Sequence, residues 1–171
     1  IMKLLQELFA QGLLSEQQME DLKQLAERTG KTEEDVILEK MITTEDSLFT
    51  LKSKVLGIPF KRVKAEEVSS NVLELIPEEA SVNYKMVPVA RTENFVQIGM
   101  VYPEDIAAQN ALRFLANQEN FTYQVYLITP SNLAGLLKQR KNISAETGKA
   151  LEELNKEKGQ ILEALSKKTA V

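Results

Sequence analysis

The chain has 171 residues, of which 43% are hydrophobic and 27% are charged, and its formal net charge is −4. This composition is typical of a soluble globular domain, and the acidic balance argues against a nucleic-acid-binding surface, which would need a basic patch. The sequence has neither cysteine nor histidine, so disulfides, thiolate nucleophiles, imidazole bases and the common zinc sites are excluded.

The first third of the chain has the spacing of four short helices. "MKLLQELFAQG" predicts an amphipathic helix that ends at Gly12, and Ser15 with Gln18 predicts a capping box that opens the second helix. Thr32 is the predicted cap of the third helix, and the fourth ends at Gly57. Because such short helices are marginal alone in water, we expect a small bundle. Its predicted core consists of Leu4, Leu8, Leu22, Leu25, Val36, Ile37, Leu48, Leu51 and Leu56.

Gly30, Lys31 and Thr32 spell the last three letters of a phosphate-binding loop. The complete loop needs a second glycine five residues before Gly30, where this chain has Leu25, and a buried strand in front of it. The residues in front have helical spacing instead. We therefore predict a glycine that ends one helix and a threonine that caps the next, without nucleotide binding.

From Phe60 the pattern changes to strands interleaved with helices. "VPVAR" and "FVQIGMVY" predict two strands, and the "TEN" between them predicts a hairpin. "PEDIAAQNALRFLANQ" predicts a helix, "FTYQVYLIT" a third strand and "PSNLAGLLKQRK" a further helix. This order predicts an α+β fold in which helices pack on a mixed sheet.

The tail from Asn142 has the alternating spacing of a helical seam. Four of the seven seam positions are apolar; the positions are Thr147, Leu151, Leu154, Lys158, Ile161, Leu165 and Lys168. So short a seam buries little surface, which favours a detached linker helix over a stable coiled coil. We expect a helical subdomain at 1–58, an α/β subdomain at 59–141 and the linker helix at 142–171. Since the chain starts with Ile1, we also expect it to be part of a longer protein.

The stretches "VLGIPF", "LELIPEEASVNYKMVPVAR" and "GMVYPEDIAAQNALRFL" resemble the N-terminal domain of the ATPases that power type II secretion and type IV pilus assembly, the general secretory pathway protein E family. The resemblance covers about Leu13 to Arg140. It implies a non-catalytic docking domain that binds the cytoplasmic part of an inner-membrane platform protein, with the ATPase domain of the full-length protein further along the chain. It also implies a cytoplasmic location, peripheral at the inner membrane through that partner.

Some members of that family bind cyclic di-GMP with two tandem arginine–leucine–glycine motifs, each followed by a later glycine and a terminal glutamine. At these five positions the first copy here has Lys3, Leu4, Leu5, Gly12 and Ala26. The corresponding residues of the second copy are Thr32, Glu33, Glu34, Met41 and Val55. Losing the arginine removes a planar group that stacks on a base and binds phosphate, and two glutamates would repel a dianion. We therefore do not expect cyclic di-GMP to bind, and sensing of it stays the alternative function.

Two further function classes have less support in the sequence. A small carboxylate enzyme could use Glu104 with Asp105, but this pair opens a predicted helix, where acidic side chains complement the helix dipole. A DNA reader would need a basic recognition helix. We therefore assign no catalytic, cofactor-binding or metal-binding residue, no cofactor and no nucleic-acid partner, and expect no direct insertion into a membrane.

Overall fold

The computed structural model describes residues 3–169, except for the side chains at positions 147 and 167–169. Some predicted features therefore lie outside the described part. They are the helix start at Met2, the side chains of the seam positions Thr147 and Lys168, and the last two residues of the linker. The elements are α1 (Leu4–Ala10), α2 (Glu16–Thr29), α3 (Glu33–Glu39), α4 (Glu45–Leu56), α5 (Ser70–Leu73), α6 (Glu78–Tyr84), β1 (Met86–Thr92), β2 (Phe95–Met100), α7 (Ile106–Gln118), β3 (Thr122–Leu127) and α8 (Pro130–Thr169). The predicted α+β class is confirmed.

The sheet has the order β1-β2-β3 and is mixed, as predicted. β1 and β2 form the antiparallel hairpin, with Thr92 opposite Phe95, and β3 runs parallel to β2. The chain reaches β3 through α7, because a parallel neighbour requires a crossover connection. Gly99 of β2 faces Ile128, and a Cβ atom there would lie 2.9 Å from the isoleucine side chain. A larger residue at position 99 would therefore push the end of β3 away.

Side chains on the two faces of the sheet belong to different core clusters. One cluster joins β2 residues such as Ile98 to α7 residues such as Leu112. The other contains the buried residues of α1 to α4 together with Val87 of β1 and Ile128, which follows β3. The core of the predicted small bundle therefore also includes residues of the sheet. The four short helices pack against the sheet, because helices this short bury too little surface among themselves.

The local signals at the helix ends are confirmed. Ser15 Oγ accepts a hydrogen bond from the Gln18 N–H at 3.1 Å, and Gln18 Oε1 accepts from the Ser15 N–H at 2.9 Å. Gly30 ends α2 with a φ of 71°, and Thr32 caps α3. The Gly-Lys-Thr letters are therefore a junction between two helices, as predicted, because α1 and α2 are the elements that precede them among the described residues.

α8 continues through Asn142 as one helix of 40 residues, where two helices were predicted. Neither glycine nor proline occurs between positions 136 and 147, so nothing in this stretch stops the helix. Farther along, Leu151 and Ile161 are 56% and 60% exposed. Among the described residues, no helix, α8 included, combines the length and the apolar character that a membrane crossing needs.

Candidate functional site

The first four helices form a tandem repeat. Leu4 begins α1 and Glu33, 29 residues later, begins α3. Ser15 and Thr44, which have the same separation, both cap the second helix of their copy through a side-chain oxygen. The positions after the first helix also correspond, since Gly12 and Met41 have φ angles of 77° and 54°. The backbone therefore keeps the two-copy arrangement, although the motif residues of the second copy differ.

Met41 provides a test of this repeat. It is 86% exposed, and a left-handed conformation costs an L-residue about 1–2 kcal/mol, whereas glycine adopts it without a steric cost. We expect Met41→Gly to raise the free energy of unfolding by about 0.5–1 kcal/mol, the entropy of glycine in the unfolded chain offsetting part of the gain. Urea unfolding measures the change. Gly12→Ala is the reciprocal control and is expected to destabilise; a less stable Met41→Gly protein would contradict the account.

The three residues at the second motif triplet all bind other parts of the chain. Thr32 Oγ1 lies 3.1 Å from the Tyr102 hydroxyl. Glu33 Oε2 accepts a hydrogen bond from the Leu4 N–H at 3.0 Å. Glu34 is buried, with 3% of its surface exposed. The triplet therefore connects the first copy of the repeat, the second copy and the segment that follows β2.

Lys52 of α4 lies at the centre of these contacts and has no exposed surface. Its Nζ is 3.1 Å from Glu34 Oε1 and 3.0 Å from Glu104 Oε1, and it donates to the Val101 carbonyl at 2.8 Å. It also lies over the Tyr102 ring, 4.7 Å from the centroid. One ammonium group is thus shared by two carboxylates that come from different parts of the fold.

The cluster does not satisfy all of its oxygens. Glu104 Oε2 is buried and has no hydrogen-bond partner among the residues that the structure describes. Glu34 Oε1 lies close to Lys52 but outside hydrogen-bonding geometry. Buried polar groups without a hydrogen bond are uncommon in native proteins and call for an explanation. These oxygens therefore reduce the net stabilisation that the cluster around Lys52 contributes.

Sequence reasoning missed Lys52, although a signal existed. Leu48 and Phe49 are both fully buried, and Lys52 follows them at the i+4 and i+3 spacing of one helix face. A lysine on the buried face of a short helix needs a carboxylate partner, since an unpaired charge in the interior is costly. The sequence does not show which carboxylates approach it.

Glu104 and Asp105, the carboxylates of the enzyme hypothesis, have separate tasks. Glu104 binds Lys52, whereas Asp105 Oδ1 caps α7 by accepting from the Ala107 N–H at 3.0 Å. Neither arrangement resembles an acid and base facing a common substrate. Within residues 3–169 no group of three or more acidic side chains is placed to hold a metal ion.

Burial raises the pKa of two groups beside the triplet. The pKa of the Glu33 carboxyl lies above its ordinary 4.5, chiefly through burial and against the hydrogen bond from Leu4. Burial likewise raises the pKa of Tyr102 from 10.0 to about 12, opposed by the hydrogen bond to Thr32. Both shifts have the same main cause, because burial disfavours the charged form of each group.

The raised pKa of Tyr102 predicts a late ionisation in the folded chain. Between pH 10 and about 12 the unfolded chain loses this proton first. The stabilising contribution is therefore complete below pH 10 and is lost as the pH rises through about 12. We expect phenolate absorbance to show a step near that upper value that Tyr102→Phe removes and the control Tyr84→Phe keeps. Identical titration curves for the wild type and Tyr102→Phe would contradict the late ionisation of Tyr102.

A cavity of about 160 Å³ opens beside the first triplet. It is lined by residues of α1 and α2 together with Glu33. Two cations, Lys3 and Lys23, reach it, and both are exposed. Lys3 is the residue at which the resemblance predicts an arginine. Exposed positive side chains and a concave surface thus occur together here, beside the carboxylates of Glu20 and Glu33.

Comparisons with known proteins relate the chain to one domain family and to several similar proteins. Residues 56–146 match the MshEN domain family. The type IV pilus assembly ATPase PilB of Myxococcus xanthus is 24% identical over 162 residues, which are 95% of this chain and 28% of that protein. A structure of MshE with cdg, the abbreviation for cyclic di-GMP, has a TM-score of 0.66 at 21% identity, covering 82% of this chain and 99% of that one. The N-terminal domain of XpsE has a TM-score of 0.59 at 16% identity, covering 80% and 92%.

The prediction that cyclic di-GMP is an unlikely partner is wrong. The fold is that of MshE, a protein solved with this ligand. The prediction treated Glu33 and Glu34 as charges that face the ligand, but Glu33 is turned toward the Leu4 N–H and Glu34 toward Lys52. A carboxylate paired inside the protein repels an outside anion less than an exposed one. Repulsion by these two residues therefore does not decide the question.

The family match and the similar structures support the resemblance that the motifs predicted. The chain spans 28% of the length of the PilB relative, and the XpsE structure is that of an N-terminal domain. The MshEN match covers more than half of the chain, from the end of α4 into α8. The chain therefore belongs to the MshEN domain family, and it is related to the N-terminal domains of type II secretion and type IV pilus assembly ATPases.

Proposed function

We propose that this chain is a non-catalytic regulatory domain of a type II secretion or type IV pilus assembly ATPase, and that its helical repeat binds cyclic di-GMP. The main support is the fold that it shares with MshE in the structure with cdg. The two-copy backbone of α1 to α4, with matching caps and matching left-handed turns, adds to this support. The ATPase activity belongs to a part of such proteins that this chain does not match.

The cavity beside the first triplet is the proposed contact with a phosphate group. Lys3 and Lys23 supply the positive charge there, and the lining also contains the carboxylates of Glu20 and Glu33. The Glu33 carboxylate accepts a hydrogen bond from the Leu4 N–H. An ammonium group binds phosphate as a point charge and lacks the planar fork of arginine. We therefore expect binding weaker than an arginine at the same position would give.

Isothermal titration calorimetry with cyclic di-GMP tests the proposal. We expect saturable binding to the wild type, and we expect Lys3→Ala to weaken it about fivefold to tenfold, the value of roughly one hydrogen bond of ordinary strength. Lys3→Arg is expected to tighten binding, because the guanidinium binds phosphate in two places. The matched control is Lys54→Ala, an exposed lysine of α4.

Absence of heat with the wild type at millimolar ligand would refute cyclic di-GMP binding. Equal affinity of the wild type and Lys3→Ala would refute the location. Cyclic di-AMP serves as the specificity control, since it carries the same two phosphates on different bases. Equal binding of both ligands would show that charge alone, and not base recognition, is measured.

Docking to the cytoplasmic part of an inner-membrane platform protein is a second proposal. Ile106 and Phe114 of α7, with 71% and 67% of their surfaces exposed, favour it, because large apolar side chains on one helix are costly to leave in water. This partner would place the domain in the cytoplasm at the inner membrane. Titration of the purified platform fragment, with Phe114→Ser as the variant, tests the contact; undiminished binding by the variant would exclude α7.

A further inference from the structure

The segment that follows β2, residues 101–105, is the link between the helical repeat and α7. Val101 and Glu104 bind Lys52 of α4, and the Tyr102 hydroxyl meets Thr32 at the start of α3. Asp105 at the end of the segment caps α7. Any displacement of residues 101–105 therefore acts on the first turn of α7.

Lys52 connects two carboxylates, because both of them interact with its ammonium group. Glu34 lies on α3 and Glu104 lies in the segment after β2, and each is about 3 Å from the same ammonium group. Lys52 and Glu34 are buried, and charges interact more strongly where water is excluded. When one carboxylate moves away, the ammonium keeps its desolvation cost and loses half of its anionic partners. The position of Glu34 therefore affects the free energy of the contact between Lys52 and Glu104. In the same way, the position of Glu104 affects the contact between Lys52 and Glu34.

We propose that Glu34, Lys52 and Glu104 form a charge latch through which α3 and residues 101–105 open and close as one unit. Glu104 Oε2 is buried and accepts no hydrogen bond from the described part of the chain, and Glu34 Oε1 has only its ion pair with Lys52; both oxygens therefore lower the cost of opening. Coupling of this kind is reciprocal. If a change in α3 alters the stability of residues 101–105, a change in residues 101–105 alters the stability of α3 by the same free energy.

The regulatory role of this latch rests on the proposed binding of cyclic di-GMP. Thr32 and Glu34 belong to the second motif triplet, and both hold residues 101–105, one through Tyr102 and one through Lys52. The proposed ligand cavity is lined in part by Glu33, which stands between Thr32 and Glu34 in the chain. A ligand there thus changes the restraint on residues 101–105 and on α7. The latch gives the repeat a physical route to the α/β part.

Amide hydrogen exchange on the whole chain tests the latch without any ligand. Glu104→Gln is expected to raise exchange in α3 about tenfold, and Glu34→Gln is expected to raise exchange in residues 101–105 by a similar factor. The matched control is Glu39→Gln, the same substitution at an exposed position of α3 that pairs with Lys31. It is expected to leave residues 101–105 unchanged. If each latch substitution changes exchange only in its own segment, the latch does not exist.

In a second experiment, the same hydrogen exchange is measured in the presence of cyclic di-GMP. In the wild type we expect protection to change in both α3 and residues 101–105. In the triple variant Glu34→Gln/Lys52→Met/Glu104→Gln we expect the change to stay within the repeat. Binding to the wild type without any effect on residues 101–105 would overturn the regulatory role and leave the proposed function intact. If nothing binds, the proposed function and the regulatory role both fail, and the ligand-free exchange still decides whether the latch exists.

Discussion

Replacement of Lys52 by methionine is expected to lower the free energy of unfolding by about 3–5 kcal/mol, the usual cost of breaking a buried ion pair from one side. Methionine fills most of the same space but removes the ammonium group that lies 3.1 Å from Glu34 and 3.0 Å from Glu104. The carboxylates are left without a cation between them, and the Val101 carbonyl loses its donor. Urea unfolding followed by circular dichroism measures the loss.

Two further variants make this result specific. Lys54→Met, an exposed position on the same helix, is expected to change stability by less than about 0.5 kcal/mol. The triple variant with Glu34→Gln and Glu104→Gln removes every charge of the cluster and is expected to recover most of the loss, because a complete buried ion pair is often replaced at little cost. Wild-type stability of Lys52→Met would show that the cluster contributes nothing to the fold.

Phe49→Ala is expected to lower the free energy of unfolding by about 3–5 kcal/mol, the range for a fully buried aromatic ring. Phe49 has no exposed surface and belongs to the core cluster that α1 to α4 share with the sheet. Its deletion leaves a cavity in a closely packed interior. It also removes the ring that lies 5.4 Å from the Lys52 ammonium group. Thermal unfolding and urea unfolding both measure the effect.

Phe114→Ala is the matched control, since the same substitution is made where 67% of the residue is exposed. We expect a change within about 0.5 kcal/mol, as for other surface positions. Similar losses at Phe49 and Phe114 would mean that α4 is not packed as described. A small loss at Phe49 alone would mean that the helices do not depend on the sheet for their stability.

The buried face of α4 thus has a structural task, and binding by the repeat has to use outward-facing groups. Lys3 and Lys23 are exposed and share a cavity, whereas Lys52 is unreachable from solvent. Variants at the two kinds of lysine are therefore expected to separate affinity from stability. Lys3→Ala weakens binding in a folded protein, and Lys52→Met weakens the fold itself.

The sequence by itself determined the features that depend on neighbouring residues. Caps at Ser15 and Thr32, the helix end at Gly30 and the hairpin before Phe95 all appear as predicted. Each involves hydrogen-bond donors and acceptors that are only a few residues apart, so the residue types alone predict the local geometry. The motif resemblance is likewise a property of the sequence alone, and it led to the correct family.

Only the tertiary structure decided what the charged residues do. Glu34 and Glu104 are far apart in the chain and meet at Lys52, so no local pattern could show that the glutamates of the second triplet are turned inward. The same holds for the four short helices, whose partner is a sheet formed by later residues. The physical reason is that burial and charge pairing depend on which distant surfaces meet, whereas capping and turn formation depend on atoms within the same few residues.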